Sequence, residues 1–192
     1  MKSPPSERPT RRLLHTRQVV CTGYERSDGL YEIEGRLTDS KADDSDMAFK
    51  YIRAGEPIHQ MRLTLVIDLD LIIHGVEAST EAGPTPYCHE INAAYEQLVG
   101  IKIGAGFKKR VIQKVGGVLG CTHLTELLGP MATTAYQTTF FLKHKAEQQK
   151  HDDNPGYLVP RPWVIDTCHA YRSEGDAVRL IWPQTPPPPE AR

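Results

Sequence analysis

The segment Gly120-Cys121-Thr122-His123-Leu124-Thr125-Glu126 brings a thiol, a hydroxyl, an imidazole and a carboxylate to the predicted start of one helix. The unpaired N–H groups of a first helical turn favour negative charge, whether a thiolate, an oxyanion or a phosphate. Thr122 reads as the N-cap, its hydroxyl accepting from a first-turn amide. The amides of Cys121 and Thr122 would then stabilise an oxyanion while His123 or Glu126 moves a proton. The plain alternative is a capped helix whose histidine and glutamate are solvated or paired.

Three further groups carry candidate chemistry. Glu32, Glu34 and Arg36 share one face of a strand, the carboxylates about 7 Å apart by the strand rise. A partly buried Glu34 would act as a general base on water; the alternative is a solvent-facing hairpin with an internal ion pair. His59, Cys88 and Cys121 each begin a predicted element, so one sheet end can collect them, and His/Cys/Cys with a fourth group suits zinc or iron. No CxxC or HExxH spacing accompanies them, and His59 is also readable as a satisfied core residue. Lys108-Lys109-Arg110 is either a solvated helix face or a set of phosphate contacts. Cys168-His169 is a further pair, on a predicted edge strand. The sequence has no GxGxxG between strand and helix, no P-loop and no GxSxG, which leaves dinucleotide, nucleotide triphosphate and serine-hydrolase readings without support.

These residues need elements to position them. Leu14–Glu25 and Leu30–Leu37 flank Ser27-Asp28-Gly29 and predict a hairpin, with Tyr31, Ile33 and Leu37 on one face. His59–Ile67 alternates again, with His59, Met61, Leu63, Leu65 and Ile67 facing one way. The turn Asp68-Leu69-Asp70 leads into Leu71–Ala78, a second hairpin. After Gly83-Pro84 the period becomes helical: Ile91, Ala94, Tyr95 and Leu98 trace a stripe ending near Gly100. A second helix is predicted over Phe107–Val115, stopped by Gly116-Gly117, and a third from Thr122 towards Gln149, kinked or restarted at Pro130. Trp163–Tyr171 and Val178–Trp182 read as late strands or an extended cover. The result is an α+β fold, an antiparallel sheet of two hairpins with about three helices on one face. One domain is expected over residues 12–182, with tails over 1–11 and the proline-rich 183–192.

Composition narrows the function. With 192 residues, 39% hydrophobic and 24% charged, the chain is long enough to bury a core. A net charge of -1 argues against a nucleic-acid footprint. No apolar run approaches the roughly 20 residues of a membrane span, and no signal-peptide core follows Met1. Four cysteines then read as thiols in a cytoplasmic protein.

Several motifs together resemble a bacterial family of unknown function, domain family 2889. They are Leu14-His15-Thr16-Arg17, Gly23-Tyr24-Glu25-Arg26, Asp28 to Gly35, Gly55 to Met61, Gly120 to Leu127, and Cys168-His169-Ala170-Tyr171, from about Arg12 to Arg179. That resemblance implies hydrolysis of acyl-CoA thioesters, aromatic acyl groups among them, with no cofactor beyond the coenzyme A of the substrate. The base would be Glu34 or His59, the oxyanion donors the Cys121 and Thr122 amides, the polarising group His123, and the CoA contacts Lys108, Lys109 and Arg110. The order of hairpin, Cys88 helix and Cys121 helix is also similar to NifU-type iron–sulfur scaffolds. In that pattern Cys88, Cys121 and His59 match ligand positions, while Pro57 stands where a cysteine would fall and cannot coordinate. A zinc- or iron-binding protein and a non-catalytic ligand-binding module are the alternative readings. Self-association is expected from the apolar end of the long helix.

Overall fold

The computed structural model describes residues 9–183. The tail expectations fall mostly on residues 1–8 and 184–192, outside that range. The chain divides into two compact units, Met1–Leu142 and Lys143–Arg192.

The first unit is built on an antiparallel sheet in the order β1-β2-β5-β6. Its strands are β1 (His15–Glu25), β2 (Tyr31–Lys41), β5 (Pro57–Ile67) and β6 (Ile73–Ala82). A two-stranded ribbon, β3 (Ser45–Asp46) with β4 (Tyr51–Ile52), interrupts the β2–β5 connection. Strict alternation makes β2 two-faced: Tyr31, Ile33, Gly35, Leu37 and Asp39 are buried, and the residues between them are not. β5 presents Met61, Leu63, Leu65 and Ile67 to the same core.

Helix α2 (Thr122–Asp153) crosses this apolar face, burying Leu124, Leu127, Leu128, Met131 and Ala135, the i, i+3, i+4, i+7 spacing of a core-facing stripe. Glycines admit it at two points. A Cβ at Gly35 would stand 2.6 Å from Met131 Sδ, and one at Gly23 would collide with the Thr138 side chain. Since Gly23 pairs with Ile33, α2 descends along β2 from the Asp39 end towards the Ile33 end. The lengths agree: about 20 Å for six strand residues and about 22 Å for fifteen helical ones. Pro130 lies inside α2, which runs through it without the restart that was one of the two expected outcomes.

Two other expectations are corrected. The stretch after Pro86 is turns followed by a 3-10 segment, Asn92–Leu98, instead of an α-helix, although Tyr95 and Leu98 are buried as the stripe requires. The late strands do not form: the described residues there make turns, a 3-10 turn over His169–Tyr171 and the helix α3 (Asp176–Ile181). Their apolar residues are too few and too interrupted by turn formers to alternate over a full strand. Helix α1 (Phe107–Val115) forms as predicted, starting after left-handed Gly106 and ending at Gly116.

Candidate functional site

The centre of the site is Asp39, a residue the sequence reading passed over. It continues the parity of Tyr31, Ile33 and Leu37, so its carboxylate points into the face that β2 buries, with a side chain only 1% exposed. A buried carboxylate demands partners, and the sheet supplies them in a row. Arg17 on β1 and His59 on β5 are its cross-strand neighbours. A β-bulge follows Asp39, where Ser40 pairs with Pro57 and leaves Ile58 over, the kind of irregularity that re-aims side chains at a strand end.

Arg17 forks onto the carboxylate, Nε donating to Oδ1 at 2.7 Å and Nη2 to Oδ2 at 2.8 Å. Its Nη1 donates to Glu126 of α2 at 2.6 Å. His15 Nε2 lies 3.1 Å from Oδ1, and His59 Nδ1 lies 3.0 Å from Oδ2. An ionised carboxylate only accepts, so both nitrogens carry the proton and the His59 Nε2 lone pair is left free for chemistry. From the first turn of α2, His123 stacks on His59 with ring centres 3.7 Å apart and planes inclined by 29°. His123 Nε2 stands 3.8 Å from Asp39 Oδ2, and its Nδ1 stands 3.9 Å from Cys121 Sγ.

Electrostatics separates the roles. Burial pushes the Asp39 carboxyl up, but the Arg17 fork and the histidine bonds outweigh it and hold the pKa at about 2. His59 is lowered by burial first and by the neighbouring His123 second, against the pull of Asp39. His123 is lowered by burial and by the Arg17 charge. The site at neutral pH is a fixed anion beside two neutral imidazoles, the protonation state a general base needs.

Cys121 is the residue on which α2 begins: its carbonyl accepts from the Thr125 N–H at 2.9 Å. Thr122 is therefore the first helical residue and not the N-cap. The Cys121 N–H donates to the fully buried Tyr95 hydroxyl at 3.0 Å, which removes it as an oxyanion donor. The amides of Thr122 and His123 precede the first intrahelical bond and keep that capacity.

Of the other sequence candidates, Glu34 lies on the opposite face of the sheet, in an ion pair with Arg36 at 2.8 Å. The period of two that buries Asp39 turns Glu34 away, so it does not join the site as a base. Cys88 bonds Thr85 Oγ1 at 3.2 Å. Among the described residues, the potential ligand group with atoms within 4.8 Å of one another is Asp39, His59 and His123, and not His59, Cys88 and Cys121. Lys108 and Lys109 are exposed on α1, while Arg110 is used locally, donating to the carbonyls of Lys102 and Ala105. Sequence alone offers Arg17 and His15 only as members of the Leu14-His15-Thr16-Arg17 motif, and the signal it holds for Asp39 is a charged residue on the apolar parity of β2.

The model of a family described as a protein of unknown function (DUF2889) matches residues 15–137, and the chain belongs to that family. The match begins at His15 and includes every residue of the cluster. No curated protein matches, and no solved structure matches, so the likeness to NifU-type scaffolds rests on sequence pattern alone. No helix among the described residues is long and apolar enough to cross a membrane.

Proposed function

We propose that this member of DUF2889 is a hydrolase of acyl-CoA thioesters whose acid–base machinery is Asp39, His59 and His123. One observation carries the reading: two partly exposed imidazoles stack on each other at the amide-rich start of α2, His59 bonded to a buried carboxylate and His123 3.8 Å from it. Thioester hydrolysis asks for a base that takes a proton from the attacking group, returns it to the departing thiolate, and stands beside donors for the tetrahedral oxyanion. His59, oriented through its Nδ1–H by Asp39, has its Nε2 available for water. His123 is placed to serve the leaving sulfur. The Thr122 and His123 amides serve the oxyanion, and Lys108 and Lys109 remain the candidate contacts for CoA phosphates.

The test is CoA release from a panel of aliphatic and aromatic acyl-CoA esters. Asp39→Asn and His59→Gln are expected to lower turnover by about a hundredfold or more with the fold retained. No release from any ester of the panel by the unaltered protein would remove the proposal.

A second reading, a zinc or iron centre, is favoured by spacing. Asp39 Oδ2 lies 3.0 Å from His59 Nδ1 and 3.8 Å from His123 Nε2, against ligand separations of about 3.3 Å around tetrahedral zinc. Ring orientation does not suit it. A bound ion lies in the plane of each imidazole about 3 Å from the ring centre, and planes 3.7 Å apart at 29° meet only about 7 Å away. The Arg17 fork also covers both carboxylate oxygens. Stoichiometric metal in protein purified without chelator would favour this reading over the first.

A further inference from the structure

We infer that the Cys121 thiol is the first acceptor of the acyl group, so that hydrolysis runs through a covalent acyl-cysteine; the inference rests on the thioesterase reading above. His123 bridges the thiol and the carboxylate, Nδ1 at 3.9 Å from Cys121 Sγ and Nε2 at 3.8 Å from Asp39 Oδ2. With Nε2–H turned to the carboxylate, the Nδ1 lone pair faces the sulfur. Both distances are longer than a formed hydrogen bond, as is common for catalytic pairs without substrate. The sulfur belongs to the residue that caps the start of α2, its backbone carbonyl accepting the first helical bond from Thr125.

The four thiols are not equivalent. Cys21 is raised by burial and meets Thr134, Cys88 meets the Thr85 hydroxyl, and Cys168 is exposed in the second unit. Cys121 is the one in contact with an imidazole that also faces a buried carboxylate. The Tyr95 hydroxyl, bonded to both the N–H and the carbonyl of Cys121, fixes the backbone that presents it.

The two imidazoles divide the labour. His123 takes the thiol proton as a bond forms between Cys121 Sγ and the acyl carbon. The bond from that carbon to the CoA sulfur breaks, and the departing thiolate takes the proton from His123 to leave as free CoA. This exchange of one thioester for another is nearly even in energy. Water then attacks the acyl-cysteine as His59 Nε2 accepts its proton. The new C–O bond replaces the bond to Cys121, and the proton passes to the released sulfur. The sum is thioester plus water giving carboxylic acid plus CoA.

The experiment uses the full chain with benzoyl-CoA and acetyl-CoA, quenched in acid and analysed by intact mass and peptide mapping. An acyl adduct confined to Cys121 is expected, accumulating in His59→Gln while the first equivalent of CoA is still released. Turnover should fall about a hundredfold or more in Cys121→Ala and Cys121→Ser with unchanged circular dichroism. Independently of folding in those variants, iodoacetamide should alkylate Cys121 of the unaltered protein faster than exposed Cys168, and His123→Ala should abolish that advantage. If CoA is released but no adduct forms and Cys121→Ala keeps turnover within threefold, water attacks directly; the covalent route is then wrong and the thioesterase reading stands. If no ester of the wider aliphatic and aromatic panel releases CoA, both fail together.

Discussion

Asp39 is costly to bury and is retained by four partners, so its neighbours are the residues most sensitive to substitution. Removing the Arg17 fork leaves a 1%-exposed carboxylate with histidines alone. Arg17→Ala should therefore cost roughly 3 kcal/mol, measured by urea denaturation. The same guanidinium lowers both imidazoles, which gives a kinetic prediction with a definite sign. In the unaltered protein kcat/KM should fall with acid only below the ordinary histidine value of about 6.5; in Arg17→Gln the acid limb should move to higher pH. A limb that stays in place would show that Arg17 does not tune the base. Glu34→Gln, on the far face, should leave turnover within about twofold.

Elements matter here through two close approaches and one buried hydroxyl. α2 reaches the sheet because Gly23 and Gly35 have no side chain, and it carries His123 to Asp39 as a consequence. Gly35→Val should push Met131 away, lower stability by about 1–3 kcal/mol in thermal unfolding, and lower turnover in step because His123 is displaced with the helix. Tyr95→Phe tests the other anchor. It orphans the Cys121 N–H and one bond of Thr125, at a cost of about 1–3 kcal/mol. If stability drops in either variant while turnover per folded molecule is unchanged, the placement of α2 is not what sets the site. Much of this level was legible beforehand. Alternation in His59–Ile67 and the punctuation at Gly116-Gly117 found β5 and α1, since both are local patterns. The segment after Pro86 departs from the α-helical pattern because its stripe of Ile91, Ala94, Tyr95 and Leu98 fits a 3-10 turn sequence nearly as well over so few residues.

For the whole molecule, the titrating cluster predicts how stability depends on pH. His59 and His123 have folded pKa values below their unfolded ones, so the unfolded chain binds more protons as pH falls past about 6.5 and stability is lost from there downward. Asp39 is lowered from 3.8 to about 2. Its contribution, on the order of 2 kcal/mol, is complete above its unfolded value and disappears as pH approaches 2. A denaturation series from pH 8 to pH 3 should show a first decline beginning near 6.5 and a second below 4. The first should vanish in the double variant His59→Gln, His123→Gln; its persistence there would place the histidine titration elsewhere.

The sequence by itself determined the class of fold, the family, and the one strand and one helix start that bear His59, Cys121 and His123, because hydrophobic period, turn residues and helix punctuation act over a few residues at a time. It singled out Glu34 on grounds of type and passed over Asp39, because the predicted strand stops at Leu37 and its apolar parity does not reveal what will cover that face. Only the tertiary structure decided that: α2 packs on the odd-numbered face of β2, which buries Asp39, turns Glu34 to the other side, and brings together Arg17, His59 and His123 from positions as much as a hundred residues apart.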